Sequence, residues 1–128
     1  MAFAQRYSVP FTTTAGGAAT VYTGEGVNGR LLSVVYEYDD GDTGADFTIT
    51  TKTTAVALLT ITNAGTASVT WQPRVVVHPV ANTGAGTALT FDGTNEIYEP
   101  QWIADEEIKV VVAQGGATKS GTLHFVVG

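Results

Sequence analysis

Residues 30–38 read RLLSVVYEY. Leu32, Val34, Tyr36 and Tyr38 fall on one face of an extended chain, with Leu31, Ser33, Val35 and Glu37 on the other. This period of two predicts a half-buried strand, and the turn residues of VNG before it and DDGDTG after it mark its ends. Working outward, FTITT places Phe47, Ile49 and Thr51 on one side, and AVALLTIT is the near-continuous apolar run expected of a central strand. NAGTA then turns the chain into SVTWQPRVVVHPV, where Val69, Trp71, Pro73, Val75 and Val77 alternate with Gln72, Arg74, Val76 and His78. Proline donates nothing to a ladder, so this segment is predicted at a sheet edge, or broken by a bulge near Pro73 and Pro79. EEIKVVVAQ and TKSGTLHFVV flank QGGA, which predicts a C-terminal β-hairpin reversing at Gly115 and Gly116. YSVPFTT and TVYT read as a shorter pair around AGGAA.

Thr, Val, Ala and Gly dominate the chain, and the first two are stiff at χ1 and pack well on pleated surfaces. The expected fold is therefore all-β: about eight short strands in one β-sandwich domain of jelly-roll or immunoglobulin-like type, spanning 1–128. Residues 1–14 are expected as an N-terminal arm. Residues 82–104 are rich in turn residues and are expected as a long loop, although they hold Phe91, Ile97, Tyr98 and Trp102.

Charge narrows the partners. The net charge is −6, and the six cations Arg6, Arg30, Lys52, Arg74, Lys109 and Lys119 are scattered. A nucleic-acid binder needs clustered cations to displace counterions from phosphates, so DNA and RNA are not expected partners. No apolar run approaches the roughly 18 residues of a membrane span, and the start lacks the pattern of a signal peptide, so no membrane contact is expected. The chain has no Cys, which removes disulfides and thiolate chemistry.

The acidic stretch YDDGDTGADFT at 38–48 invites a metal reading. As an EF-hand loop starting at Asp40 it has Asp42 in place, but Gly44 at the fifth position, Ala45 at the invariant glycine and Thr51 at the bidentate glutamate. A turn whose aspartates bond nearby backbone amides accounts for the same residues, and a cation held by Asp40, Asp42 and Asp46 is the weaker alternative. GGATKSG at 115–121 lacks the glycine before Lys119 and a following helix, so it is not a phosphate loop. His78 and His124 have no Cys or His at ligand spacing and read as structural. The acids Glu96, Glu99, Asp105, Glu106 and Glu107 show no partner arrangement, with 105–107 read as the solvated start of a strand. No catalytic residue, metal or cofactor is expected, and the chain does not read as an enzyme.

The segments FTITTKTTAVALLTITNAGTASVTWQPRVVVHPV and IADEEIKVVVAQGGATKSGTLHFVVG resemble the capsid decoration (cement) proteins of tailed bacteriophages, over a little more than half of the chain. The resemblance implies a non-enzymatic virion structural protein, made in the host cytoplasm and placed on the capsid surface. There it would bind between subunits of the major capsid protein as a homo-oligomer, typically a homotrimer. The residues expected to form such interfaces are Phe3, Tyr7 and Phe11 of the arm and Phe91, Ile97, Tyr98 and Trp102 of the long loop, because aromatics in exposed segments are the usual anchors of protein contacts. The rival readings are a tail, neck or fibre component of a phage virion that binds glycans through Tyr98 and Trp102, and a small hydrolase or carbohydrate-binding module with a cation in the 40–46 loop.

Overall fold

The computed structural model describes residues 3–78 and 88–128. Among them every regular element is a strand: β1 (Gln5–Thr12), β2 (Ala19–Tyr22), β3 (Val27–Tyr38), β4 (Asp46–Thr51), β5 (Ala57–Ile61), β6 (Val69–Trp71), β7 (Val75–Val76), β8 (Tyr98–Glu99), β9 (Trp102–Glu106), β10 (Ile108–Ala113) and β11 (Ser120–Val127). Two antiparallel sheets face each other. One runs β1-β11-β3-β6, with β9 also paired to β3; the other runs β2-β10-β4-β5. β7 and β8 form a separate two-stranded ribbon. The expected single β-sandwich is therefore the fold, built from eleven described strands where about eight were expected.

The two predicted terminal pairs are corrected. β1 and β2 lie in opposite sheets, and so do β10 and β11, so neither GGA-type reversal closes a hairpin. Each instead arches between the sheets, and the arches bond one another. Gly115 N donates to Gly17 O at 2.9 Å, and Thr118 N donates to Thr14 O at 3.2 Å. Between them lies the buried Thr13, whose hydroxyl donates to Gly116 O at 2.6 Å and accepts from Lys119 N at 2.8 Å. Packing gives the reason. Val110 and Val112 of β10 face Leu123 and Phe125 of β11 across the core, all at 0% exposure, so each strand's apolar face covers the other. A hairpin would have lined all four up on one sheet.

The core is aromatic at its centre. Phe47 meets Tyr36 edge-on at 4.9 Å and Phe11 at 5.7 Å, and Trp71 stacks on Tyr36 at 6.1 Å. Phe47, Ile49 and Thr51 all point inward, as their alternation predicts. Leu31 and Leu32 do not follow the expected faces. A register shift opposite Val126 and Val127 leaves Leu32 as the extra residue of a bulge and turns Leu31 into the core.

β5 is an edge strand, not the central one expected, since among the described residues it pairs with β4 alone. The SVTWQPRVVVHPV segment lies at an edge and is interrupted at the buried Pro73, as predicted, while the second break, at Pro79, falls outside the described residues. The expected arm is also corrected: residues 5–12 are β1, in full register with β11.

Residues 105–107 are solvent-accessible and lead into β10, as expected, but they also end β9 and form the pivot where the chain changes sheet, with Asp105 at φ 49°. Two carboxylates of this pivot clamp the turn between β4 and β5. Glu106 Oε1 accepts from Thr53 N at 2.5 Å and Thr54 N at 2.6 Å, and its Oε2 accepts from the Thr54 hydroxyl at 2.7 Å. Glu107 Oε2 pairs with Lys52 Nζ at 2.8 Å while Oε1 accepts from Gly24 N. The bonds from Thr54 hold the Glu106 carboxyl below its usual range, and the Lys52 ammonium does the same for Glu107.

A depressed carboxylate stabilises the fold above its unfolded pKa and loses that contribution as pH falls through the folded value. Thermal melts are therefore expected to drop as the pH goes from neutral to about 3. Glu106→Gln is expected to melt lower than wild type at neutral pH and to show a shallower acid decline; equal melts at neutral pH would remove the clamp.

Candidate functional site

The N-terminal half of β3 is held from both edges. Arg30 exchanges backbone bonds with Gly128 beyond β11, at 2.9 and 3.0 Å, and Leu31 N donates to Gln101 O at 2.9 Å beside β9. Gly29 at φ 126° sits at a register shift against β9 and makes this double seating possible, because a β-carbon there would meet Val127 Cγ1 at 3.0 Å and Gly128 O at 3.2 Å.

Next to it, Arg30 and Trp102 are cross-strand partners, and the guanidinium carbon lies 5.7 Å from the indole centroid. The Arg30 Nε also donates to Gly128 O at 3.2 Å, which fixes the side chain's direction. Phe3, Gln5, Tyr7 and Asn28 complete the lining of an open cleft of about 470 Å³. Trp102 is 65% exposed and Phe3 72%, while Tyr7 is half-buried against the core. The side-chain oxygens of both amides are engaged: Tyr7 Oη donates to Gln5 Oε1 at 2.7 Å and Asp105 N donates to Asn28 Oδ1 at 2.8 Å.

Three of the seven expected interface residues, Phe3, Tyr7 and Trp102, thus come together although they lie at opposite ends of the sequence. Phe11 does not join them. At 5% exposure it packs on Tyr36 and Phe47, so its assignment as an interface residue is corrected to a core residue.

The described part of the long loop is also more ordered than expected. Val75 and Val76 pair with Glu99 and Tyr98. Val77 N donates to Ile97 O at 2.9 Å, and Ile97 N donates to Leu89 O at 3.1 Å, so the half-buried Ile97 ties the ribbon together. At its tip the Asp92 carboxylate accepts from Asn95 N at 2.6 Å and Thr94 N at 2.9 Å, and these bonds, with that from Asn95 first, hold the carboxyl below its usual range. Phe91 and Tyr98 are exposed on this ribbon, outside the lining of the Trp102 cleft.

The aspartates of 38–48 do bond backbone amides, but distant ones. Asp40 Oδ1 accepts from Ser120 N at 2.7 Å and Asp46 Oδ1 from Asn63 N at 2.9 Å, while the Asp42 carboxylate lies beside Gly116. The loop is a buttress for the β10–β11 arch and the β5–β6 connection. Among the described residues no group of three or more His, Cys, Asp or Glu stands in an arrangement that could hold a metal ion.

One polar row went unread in the sequence. Ser8 Oγ shares a hydrogen bond with His124 Nδ1 at 2.8 Å, and Glu37 Oε2 accepts from Nε2 at 2.7 Å. Its three members come from β1, β11 and β3, up to 116 residues apart, and only strand register aligns them. The order resembles an acid-base relay. However, β11 is bonded on both edges, so its amides beside His124 are spent in the ladder and none is free to hold an oxyanion. The row ties three strands on the outer face of the sheet. Comparison with family models, with curated proteins and with solved structures finds no match for this chain.

Proposed function

We propose that this chain is a non-enzymatic virion structural protein that decorates and stabilises the outside of a phage capsid, self-associating there and binding between subunits of the major capsid protein. The observation that carries this reading is the cleft around Trp102: three aromatics and an arginine, two of the aromatics largely exposed, carried at the end of a tightly bonded β framework. Trp, Tyr and Arg are the residue types that dominate binding energy at protein contacts, and a preformed platform spends little on ordering. Burying the two exposed aromatics, Phe3 and Trp102, at roughly 150 Å² each contributes on the order of 7 kcal/mol before association costs, at about 25 cal/mol per Å².

The exposed indole of Trp102 also supports the second reading, a tail, neck or fibre component that stacks a sugar ring on it. Particles lacking the protein distinguish the two. Wild type added back is expected to co-sediment with them, and gold-labelled antibody is expected on the head. Trp102→Ala is expected to bind at least about tenfold more weakly with an unchanged melting curve. Label confined to the tail would favour the glycan reading, and undiminished binding by the mutant would overturn the role of the cleft.

A further inference from the structure

The sandwich has two sides with little or no charge in their edge strands, and they are finished differently. Residues 7–24 hold no Asp, Glu, Lys, Arg or His, and neither do residues 53–73. The first run covers β2 and all of the edge strand β1 after Arg6, and the second covers the edge strands β5 and β6. A free edge presents unpaired N–H and C=O groups to any other strand, and soluble proteins normally guard it with charge, proline or shortness. The β1/β2 side is guarded: Pro10 stands within β1, and β2 has only four residues.

The β5 edge has neither charge nor proline. VALLTI at 56–61 combines β-branched and aliphatic residues with no charge, proline or glycine, the composition of segments that stack when left bare. Its one irregularity, the register shift opposite Ile49 and Thr50, turns Leu58 inward to 7% exposure and leaves Leu59 to Ile61 regular, with Thr60 exposed. β5 pairs with β4 on one edge and, among the described residues, with no strand on the other.

We infer that β5 is the contact between two copies of this chain, which pair their β5 strands antiparallel about a twofold axis near Thr60 and join two four-stranded sheets into one. A second copy fits better than a charged partner because a neutral edge is complementary to itself, and twofold pairing sets Thr, Leu and Ile against the same residues with no like charges opposed. At net charge −6, two copies meet with least repulsion through this side, and the charged residues remain outside 53–73. Closure about a twofold axis also ends the stacking that a bare edge would otherwise propagate. The inference needs the fold alone and stands whether or not the protein sits on a virion.

The test is the solution mass by sedimentation equilibrium, with circular dichroism to verify the fold. Wild type is expected at twice 13.3 kDa. Thr60→Lys and Thr60→Glu, each placing like charges opposite one another across the axis, are expected to be monomers with wild-type spectra and melts at low protein concentration. Mixed one to one, the two variants are expected to recover the dimer mass, which a folding defect could not do. A wild-type monomer, a trimer, or a dimer that both variants retain would overturn the inference. So would variants that, folded, stay monomeric when mixed.

Discussion

Phe47→Ala is expected to remove about 3–5 kcal/mol of folding free energy, the usual cost of truncating a fully buried aromatic. Phe47 is at 0% exposure and touches rings from three other strands: Phe11 of β1, Tyr36 of β3 and Trp71 of β6. The neighbours cannot collapse into the space, because each is positioned by its own ladder. For a domain whose total stability is of order 5–15 kcal/mol, the loss lowers the melting temperature by about 10–20 °C. A thermal melt followed by near-ultraviolet circular dichroism checks it, and the signal of Trp71 is expected to weaken even below the transition. A fall of only a degree or two would mean that the ring cluster is not the centre of the core.

Gly29→Ala is the second large effect and joins stability to the candidate site. The φ of 126° is one that L side chains rarely adopt, and the added methyl would press on Val127 and on the carbonyl of Gly128. Strain of this kind costs on the order of 1–3 kcal/mol, and backbone on one side of the contact cannot yield as a flexible side chain would. The damage is expected to be local: β3 loses its seat between β9 and the segment at Gly128, and Arg30 and Trp102 lose their register. Trp102 emission is therefore expected to shift and amide exchange at 29–31 and 101–103 to quicken, while the core amides of β10 and β4 stay protected. Uniform acceleration across both sheets would show that the substitution weakens the whole fold and not this end of it.

Much of the molecule was legible in the chain because strand chemistry is local. The alternation in 47–51 depends on neighbours two residues apart, and so it predicts Phe47, Ile49 and Thr51 facing inward. Pro73 interrupts its segment wherever that segment lies, since the missing N–H is a covalent fact. The residues that were misread share one cause. Gly-Gly at 115–116 turns the chain equally well within a sheet or between sheets, and AVALLTIT is as apolar at an uncharged edge as at a centre. Phe11 looked like part of an exposed arm because its partner strand β11 lies more than a hundred residues away.

By itself, then, the sequence determined an all-β, charge-poor, cysteine-free sandwich and the faces of most of its strands, because side-chain period and backbone donors are properties of the local chain. The tertiary structure decided which sheet each strand joins, that 13–18 and 114–119 are interlocked arches, and that Phe3, Tyr7, Arg30 and Trp102 share one cleft. Those outcomes depend on which apolar face covers which across the core, an energy that exists only once segments distant in sequence have met.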